Sequence, residues 1–129
     1  MPLTKNRLYT RKSTRRFILR ESGRFDVSCL CQTFHLKQET LSRMTGYSVR
    51  AVADWRAGKP LSQSTTQRLR ETSRLCQALA AVIKARAIDR WLQTPQDAFD
   101  GSTPLQVIER GEADRLWRMI YRLESGEPG

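Results

Sequence analysis

A possible metal-binding pattern lies early in the chain, where Cys29, Cys31 and His35 follow the spacing C-x-C-x3-H. Thiolates and imidazoles are the ligands that zinc prefers, and a closed structural site needs four of them. The surrounding residues predict a helix, on which Cys29 and Cys31 point about 200° apart and only Cys31 and His35 share a face. We therefore predict no metal and no cofactor, and interpret the cysteines as small buried thiols.

Groups that could perform catalysis are sparse. His35 is the single histidine of the chain, and the sequence contains no cluster of carboxylates and no glycine-rich phosphate loop. This argues against an enzyme that acts on nucleic acid. An odd number of cysteines without a secretory leader favours the reducing bacterial cytoplasm, and no apolar run approaches the roughly 18 residues needed to span a membrane.

A second pattern has the spacing of a DNA-binding helix-turn-helix when it is counted from Gln38. Apolar residues at positions four, fifteen and eighteen pack the two helices together, a small residue at position five lets them cross, and glycine at position nine adopts a positive φ without strain. The residues at these positions are Leu41, Ser42, Gly46, Val52 and Trp55. We assign Trp55 to the core because it shares a helical face with Val52.

The second helix of this motif would lie in the major groove, so its first residues would reach base edges. Arg50 is the best base reader because it can form a bidentate pair with guanine, whereas Asp54 can accept from cytosine or hold Arg50 in place. Phosphate contacts are expected from Lys59 and Arg56. The predicted DNA-binding residues are Gln38, Ser48, Val49, Arg50, Ala53, Asp54, Arg56 and Lys59. The alternative is a tight turn in a helical bundle whose arginines only face solvent.

The charge distribution agrees with a polyanionic partner for the first two thirds of the chain. Lys and Arg number 23 against 13 Asp and Glu, a formal net charge of +10. Residues 1–24 contain eight basic residues and one Glu, residues 25–84 contain nine against four acids, and residues 85–129 contain six against eight. We predict a basic flexible arm over residues 1–24 that adds sequence-independent affinity for DNA.

The apolar periodicity predicts an all-α chain. Asp26 is the candidate cap of a first helix that ends near Leu36, and Ser62 or Ser64 opens a long helix that continues or kinks as far as Leu92. Ser102 or Thr103 caps a short helix that ends at Glu109. The remaining helices are expected over residues 37–45, 49–57 and 112–124.

The C-terminal third carries a specific order of motifs, of which the segment F-x-G-x-T-P-L from Phe99 to Leu105 is the most distinctive. Further members are Trp91-Leu92, Pro95, Val107-Ile108, Gly111, Leu123 and Gly126. This order strongly resembles the C-terminal toxin-binding domain of the Xre/MbcA/ParS antitoxins. The preceding stretch is similar to the Xre-type helix-turn-helix of that family. We therefore expect an Xre-like helix-turn-helix bundle over residues 25–84 and a small helical toxin-binding domain over residues 85–129.

The resemblance implies an antitoxin of a type II toxin-antitoxin pair that neutralises a RES-domain toxin, which consumes NAD or transfers from it. It also implies repression of its own operon by binding of double-stranded operator DNA, and we expect a homodimer. Trp91, Phe99, Leu105 and Ile108 are assigned to the core of the C-terminal domain. The predicted toxin-binding residues are Tyr121, Arg122, Ser125, Gly126, Glu127, Pro128 and Gly129.

A transcriptional repressor without a toxin is the alternative function. In that case the C-terminal domain would serve only for dimerisation, and no toxin reading frame would adjoin the gene. The near-neutral C-terminal surface, with Trp117 and Tyr121, suits a protein partner in either case.

Overall fold

The computed structural model describes residues 25–126, so the predicted arm and the tail residues Glu127, Pro128 and Gly129 lie outside the described residues. This part of the chain consists of helices joined by turns and short irregular segments and contains no strand, so the all-α prediction is confirmed. Its α-helices are α1 (Val27–Phe34), α2 (Gln38–Thr45), α3 (Val49–Arg56), α4 (Gln63–Ala80), α5 (Ile88–Leu92), α6 (Pro104–Glu109) and α7 (Ala113–Glu124). Single 3-10 turns cover Ala85–Ala87 and Asp97–Phe99. No helix in residues 25–126 is long and apolar enough to cross a membrane.

Side chains cap four of the helix starts, each at a residue that the sequence offers as a candidate. Asp26 accepts a hydrogen bond from the Cys29 amide at 3.0 Å, and Ser48 caps α3 in the same way. Between the two candidates for α4, Ser62 is the cap. For α6 it is Thr103, which forms a reciprocal capping box with Gln106. Each cap satisfies an amide that the first helical turn leaves without a partner.

Of the two alternatives for the long helix, a straight continuation to Leu92 is wrong, and the chain bends instead. Helix α4 ends at Ala80, and the chain turns through Lys84, whose backbone is extended, before α5 begins at Ile88. Ile88 and Leu92 are both fully buried. After the bend both side chains pack in the core cluster, and their burial stabilises this path of the chain.

The hydrophobic core is continuous across the predicted domain boundary after residue 84. Leu41 and Leu69 from the first part and Leu105 and Leu116 from the second belong to one cluster of buried side chains. Helix α4 contacts α1 and α2 on one side and α5 and α7 on the other. The helix-turn-helix and the C-terminal helices therefore pack as one body.

The three cysteines differ in how far they are buried. Cys31 and Cys76 are buried, whereas Cys29 is half-buried and lies beside the Thr33 hydroxyl. Burial raises the pKa of the Cys31 thiol, and it raises the pKa of Cys76 to about 12. Among residues 25–126 no three His, Cys, Asp or Glu side chains are grouped so that they could hold a metal ion.

We expect an alkylating reagent at mildly alkaline pH to label Cys29 first, and Cys76 only after unfolding, because the thiolate is the reactive form. The raised pKa also makes the folding stability depend on pH. Below the ordinary thiol pKa of 9.0, Cys76 is protonated in the folded and the unfolded chain, and burial of the neutral thiol stabilises the fold in full. This stabilisation is lost as the pH rises towards about 12, because the unfolded chain then ionises more readily than the folded one. Mass spectrometry of the labelled protein measures the order of reaction. A Cys29→Ala control should remove the fast label, and equally fast labelling of Cys76 in the native protein would contradict the prediction.

Candidate DNA-reading and partner-binding surfaces

Helices α2 and α3 form the crossed pair that the spacing predicts. They are joined through Gly46, whose φ of 84° lies in the left-handed region. A Cβ built at this glycine would meet no atom within 4 Å, so the backbone conformation, and not lack of space, favours glycine there. Leu41 and Val52 are fully buried between the helices, and the Ser42 hydroxyl donates a hydrogen bond to the Tyr47 carbonyl.

Trp55 packs against the core, as predicted, but an unpredicted residue holds it. The ring of Tyr47 meets the Trp55 ring edge-on, with centroids 5.0 Å apart and an interplanar angle of 79°. The Tyr47 hydroxyl also accepts a hydrogen bond from the Thr65 hydroxyl at 3.2 Å. Tyr47 therefore links the turn of the motif to both α3 and α4.

The first turn of α3 presents the predicted base-reading residues. Ser48 caps the helix, Val49 is 40% exposed, and Arg50 is exposed. Arg50 has no hydrogen-bond or ion-pair partner within the part of the chain that the structure describes, and Ala53 is half-buried one turn later. Among residues 25–126, therefore, no contact of the Arg50 guanidinium has to break before it reaches a ligand.

The remaining predicted DNA contacts are arranged in two pairs. The Asp54 carboxylate lies 3.3 Å from the Lys59 ammonium, so it contacts Lys59 and does not hold Arg50 as the sequence suggested. Arg56 donates a hydrogen bond of 3.3 Å to the side-chain oxygen of Gln38, which places these two predicted DNA-binding residues side by side. Positive charge therefore flanks α3 at its C-terminal end.

The segment from Phe99 to Leu105 folds as a tight turn followed by the capped start of α6. Asp100 and Gly101 both adopt positive φ. Phe99 and Leu105 are buried, as predicted, whereas Trp91 and Ile108 are half-buried against the core. The Trp91 ring stands edge-on to Phe99, and the Arg115 guanidinium lies 5.6 Å from the Phe99 centroid on the ring face.

One face of helix α7 is buried in the core, and another face exposes aromatic side chains. Leu116 and Ile120 are buried, while Trp117 and Tyr121, one turn apart, are 42% and 69% exposed. Leu123, a member of the motif order that was not predicted to bind the toxin, is also exposed. It lines a cleft of about 210 Å³ together with Ala98, Phe99, Arg115, Arg118, Met119 and Arg122.

The predicted toxin-binding residues that the structure describes lie at the C-terminal end of α7 and just after it. Tyr121, Arg122, Ser125 and Gly126 are exposed. The Ser125 hydroxyl donates to the Arg122 carbonyl, and Gly126 has a φ of 77°.

Residues 78–126 match the model of the antitoxin Xre/MbcA/ParS C-terminal toxin-binding domain. The chain carries the C-terminal domain of the Xre/MbcA/ParS antitoxin family. The mycobacterial cidal antitoxin MbcA of Mycobacterium tuberculosis and that of Mycobacterium bovis are 28% identical to it over 101 residues, which are 78% of this chain and 89% of MbcA. The crystal structure of the M. tuberculosis MbcT-MbcA toxin-antitoxin complex contains a chain that superposes with a TM-score of 0.64, over 78% of this chain and 91% of that one. The family resemblance inferred from the motifs is thereby confirmed.

Two polar contacts join this family domain to the helix-turn-helix, and sequence reasoning missed both. The buried Asp89 of α5 accepts a hydrogen bond from the Lys37 amide at 2.9 Å. The Arg43 guanidinium of α2 donates two hydrogen bonds, of 2.9 and 2.8 Å, to the Glu109 carboxylate of α6. The hydrogen bond with Arg43 also holds the pKa of Glu109 below its usual value.

Proposed function

We propose that this chain is the antitoxin of a type II pair: its C-terminal domain binds and neutralises a RES-type toxin, and its helix-turn-helix represses its own operon. The observation that carries the proposal is the match to MbcA, which spans both the helix-turn-helix and the toxin-binding domain. The chain would act by binding, without catalysis, as a homodimer in the bacterial cytoplasm. Its toxin would be an enzyme that hydrolyses NAD or transfers ADP-ribose from it.

Operator binding is supported by the geometry of α2 and α3. Helix α3 is capped, and its first turn carries an exposed Arg50 that has no partner among the described residues. This is the arrangement in which a recognition helix reads base edges. The first two thirds of the chain carry the excess of basic residues that phosphates require.

Toxin binding is supported by the opposite character of the C-terminal part. Residues 85–129 contain eight acidic and six basic residues, so this part has no charge excess that would favour DNA. Exposed aromatic residues are enriched in protein interfaces, and α7 presents Trp117 and Tyr121 on one face. We propose that Glu127, Pro128 and Gly129 add to the toxin contact.

Co-expression with the cognate toxin separates the two activities. The Arg50→Ala variant should still protect cells, although it loses about 1–3 kcal/mol of operator binding because a bidentate base contact is removed. A chain truncated after Ser125 should repress normally but leave cells poisoned, because the tail is absent. Growth curves and a reporter fused to the operator measure the two effects.

Two outcomes would contradict this assignment. Full protection by the truncated chain would show that the tail is not the inhibitory element. Unchanged repression by Arg50→Ala would show that α3 does not read the operator in the proposed way.

The exposed face of α7 also suits a second copy of the chain, which keeps the stand-alone repressor as the second candidate. In that case Trp117→Ala would convert a dimer into a monomer, and no toxin would co-purify from the native host. Analytical ultracentrifugation of the purified protein decides this point.

A further inference from the structure

Helix α2 begins without a cap of its own. Lys37 occupies the N-cap position and makes no side-chain hydrogen bond to the helix start. In a capping box the third helical residue is a Glu or Gln that accepts from the N-cap amide, but here that residue is the buried Thr40. The amide of Lys37 therefore needs an acceptor from elsewhere in the chain.

Asp89 supplies that acceptor from 52 residues away. It lies on α5, inside the toxin-binding domain, and is only 7% exposed. One carboxylate oxygen accepts from the Lys37 amide at 2.9 Å, and the other accepts from the side-chain amide of Gln93. A carboxylate at this position also interacts favourably with the positive end of the α2 dipole.

The capped end of α2 is the end that leads to the proposed DNA surface. Gln38 follows Lys37 directly and accepts a hydrogen bond from Arg56, which closes α3. A shift at Lys37 would therefore move Gln38 and its contact with α3. The first helix of a helix-turn-helix, here α2, is also the one that crosses the DNA backbone.

The other end of α2 is held from the same domain. Arg43 lies in its last turn and forms the two-hydrogen-bond pair with Glu109 of α6. Both side chains are about two-fifths exposed, so solvent screens their charges and the pair adds little to the stability of the fold. Its two parallel hydrogen bonds instead fix the orientation of Arg43 against Glu109. Helix α2 is thus fixed at both ends by acidic side chains of the toxin-binding domain.

We propose that Asp89 and Glu109 are positioning residues for DNA reading, through which the toxin-binding domain holds α2 in the arrangement that binds the operator. This inference rests on the proposed operator binding.

A charge-reversal cycle on the exposed pair is the principal test, made on the full chain at one fixed salt concentration. Arg43→Glu and Glu109→Arg should each lower affinity for the operator duplex about three- to tenfold, because each places like charges against each other, and the double variant should restore it to within about twofold. Glu109→Gln removes the carboxylate without adding a positive charge, so it is the control for the charge that Glu109→Arg adds. If Arg43 instead contacts phosphate directly, Glu109→Arg would raise the affinity and the double variant would not recover, which overturns the proposal. Parental affinity in all variants would overturn it as well.

Substitution of Asp89 tests the cap itself. Asp89→Leu, which removes the acceptor, should lower operator affinity about tenfold, because DNA must then order the start of α2. Asp89→Asn should stay within about threefold, since its oxygen can accept from Lys37 while the Gln93 amide reverses to accept from the new NH2 group. Equal binding by Asp89→Leu and the parent, or an equal loss in both variants, would overturn the proposal. Should Asp89→Leu fail to fold, as judged by circular dichroism, the charge-reversal cycle decides alone.

Hydrogen exchange separates failure of this inference from failure of the proposed function. In the free protein, the Lys37 amide should exchange faster in Asp89→Leu than in Asp89→Asn. If the parent does not distinguish the operator from a scrambled duplex, the proposed operator binding fails, and exchange at Lys37 still decides whether Asp89 holds α2. Unchanged exchange overturns the positioning role itself.

Discussion

Replacement of Phe99 by alanine is expected to lower the free energy of unfolding by about 3–5 kcal/mol, the range for a large aromatic residue removed from a packed core. The Phe99 side chain is only 2% exposed and joins the loop before α6 to Trp91 and Arg115. Its loss leaves a cavity and removes the ring over which the Arg115 guanidinium lies. A loss of this size would indicate that the family motif has Phe at position 99 because this side chain packs in the core.

Urea unfolding measured by circular dichroism gives this change as a shift of the midpoint at constant slope. Phe99→Leu, which keeps most of the volume, should lose less than about 1.5 kcal/mol. Val49→Ala is the matched surface control and should change stability by less than about 0.5 kcal/mol. A loss below 1 kcal/mol for Phe99→Ala would show that the loop collapses to fill the space.

Local chemistry explains why the helix starts could be predicted. Asp26, Ser48, Ser62 and Thr103 cap helices through amides only three residues away, so the sequence around each cap contains all that the contact needs. The turn at Gly46 is similar, because its positive φ is a property of one residue. These features do not depend on the rest of the fold.

The end of α4 could not be predicted in this way. Neither Gly nor Pro occurs from residue 78 to residue 90, and four of the eight residues from Ala78 to Ala85 are alanine, which favours a continuous helix. The burial of Ile88 and Leu92 outweighs this local preference, because a bend brings both side chains into the core. The helix boundary is therefore a consequence of tertiary packing.

The partners of the charged residues depended on tertiary structure as well. Asp54 and Arg50 are spaced for a helical i,i+4 contact, but the chain turns back at Gly58, whose φ is 104°, and brings Lys59 to Asp54. Asp89 contacts Lys37 across 52 residues, and nothing in the sequence near either residue indicates the other. The sequence gives one indication that Asp89 has a partner: it directly follows the apolar Ile88. A carboxylate that is buried beside such a residue needs a hydrogen-bond donor.

Substitution of the exposed aromatic residues of α7 is expected to have a large effect on toxin binding. Trp117→Ala and Tyr121→Ala should each weaken the complex by about 2 kcal/mol or more, roughly thirtyfold, because Trp and Tyr dominate the energetics of protein interfaces. Tyr121 is 69% exposed, so Tyr121→Ala should change the stability of the free antitoxin by less than about 0.5 kcal/mol. Trp117 is 42% exposed, and because the rest of its ring is buried, Trp117→Ala should lower that stability by about 1–2 kcal/mol.

Calorimetric titration of purified toxin with each variant measures this loss, and co-expression reports whether protection fails with it. Tyr121→Phe keeps the ring and tests the hydroxyl separately, and Arg90→Ala, at an exposed position of α5, is the control for a surface change elsewhere in the same domain. Operator binding by the free Trp117→Ala variant should equal that of the parent, since α7 does not belong to the proposed DNA surface. Parental toxin affinity in both aromatic variants would move the toxin contact away from this face, to the cleft lined by Leu123 or to the tail after Gly126.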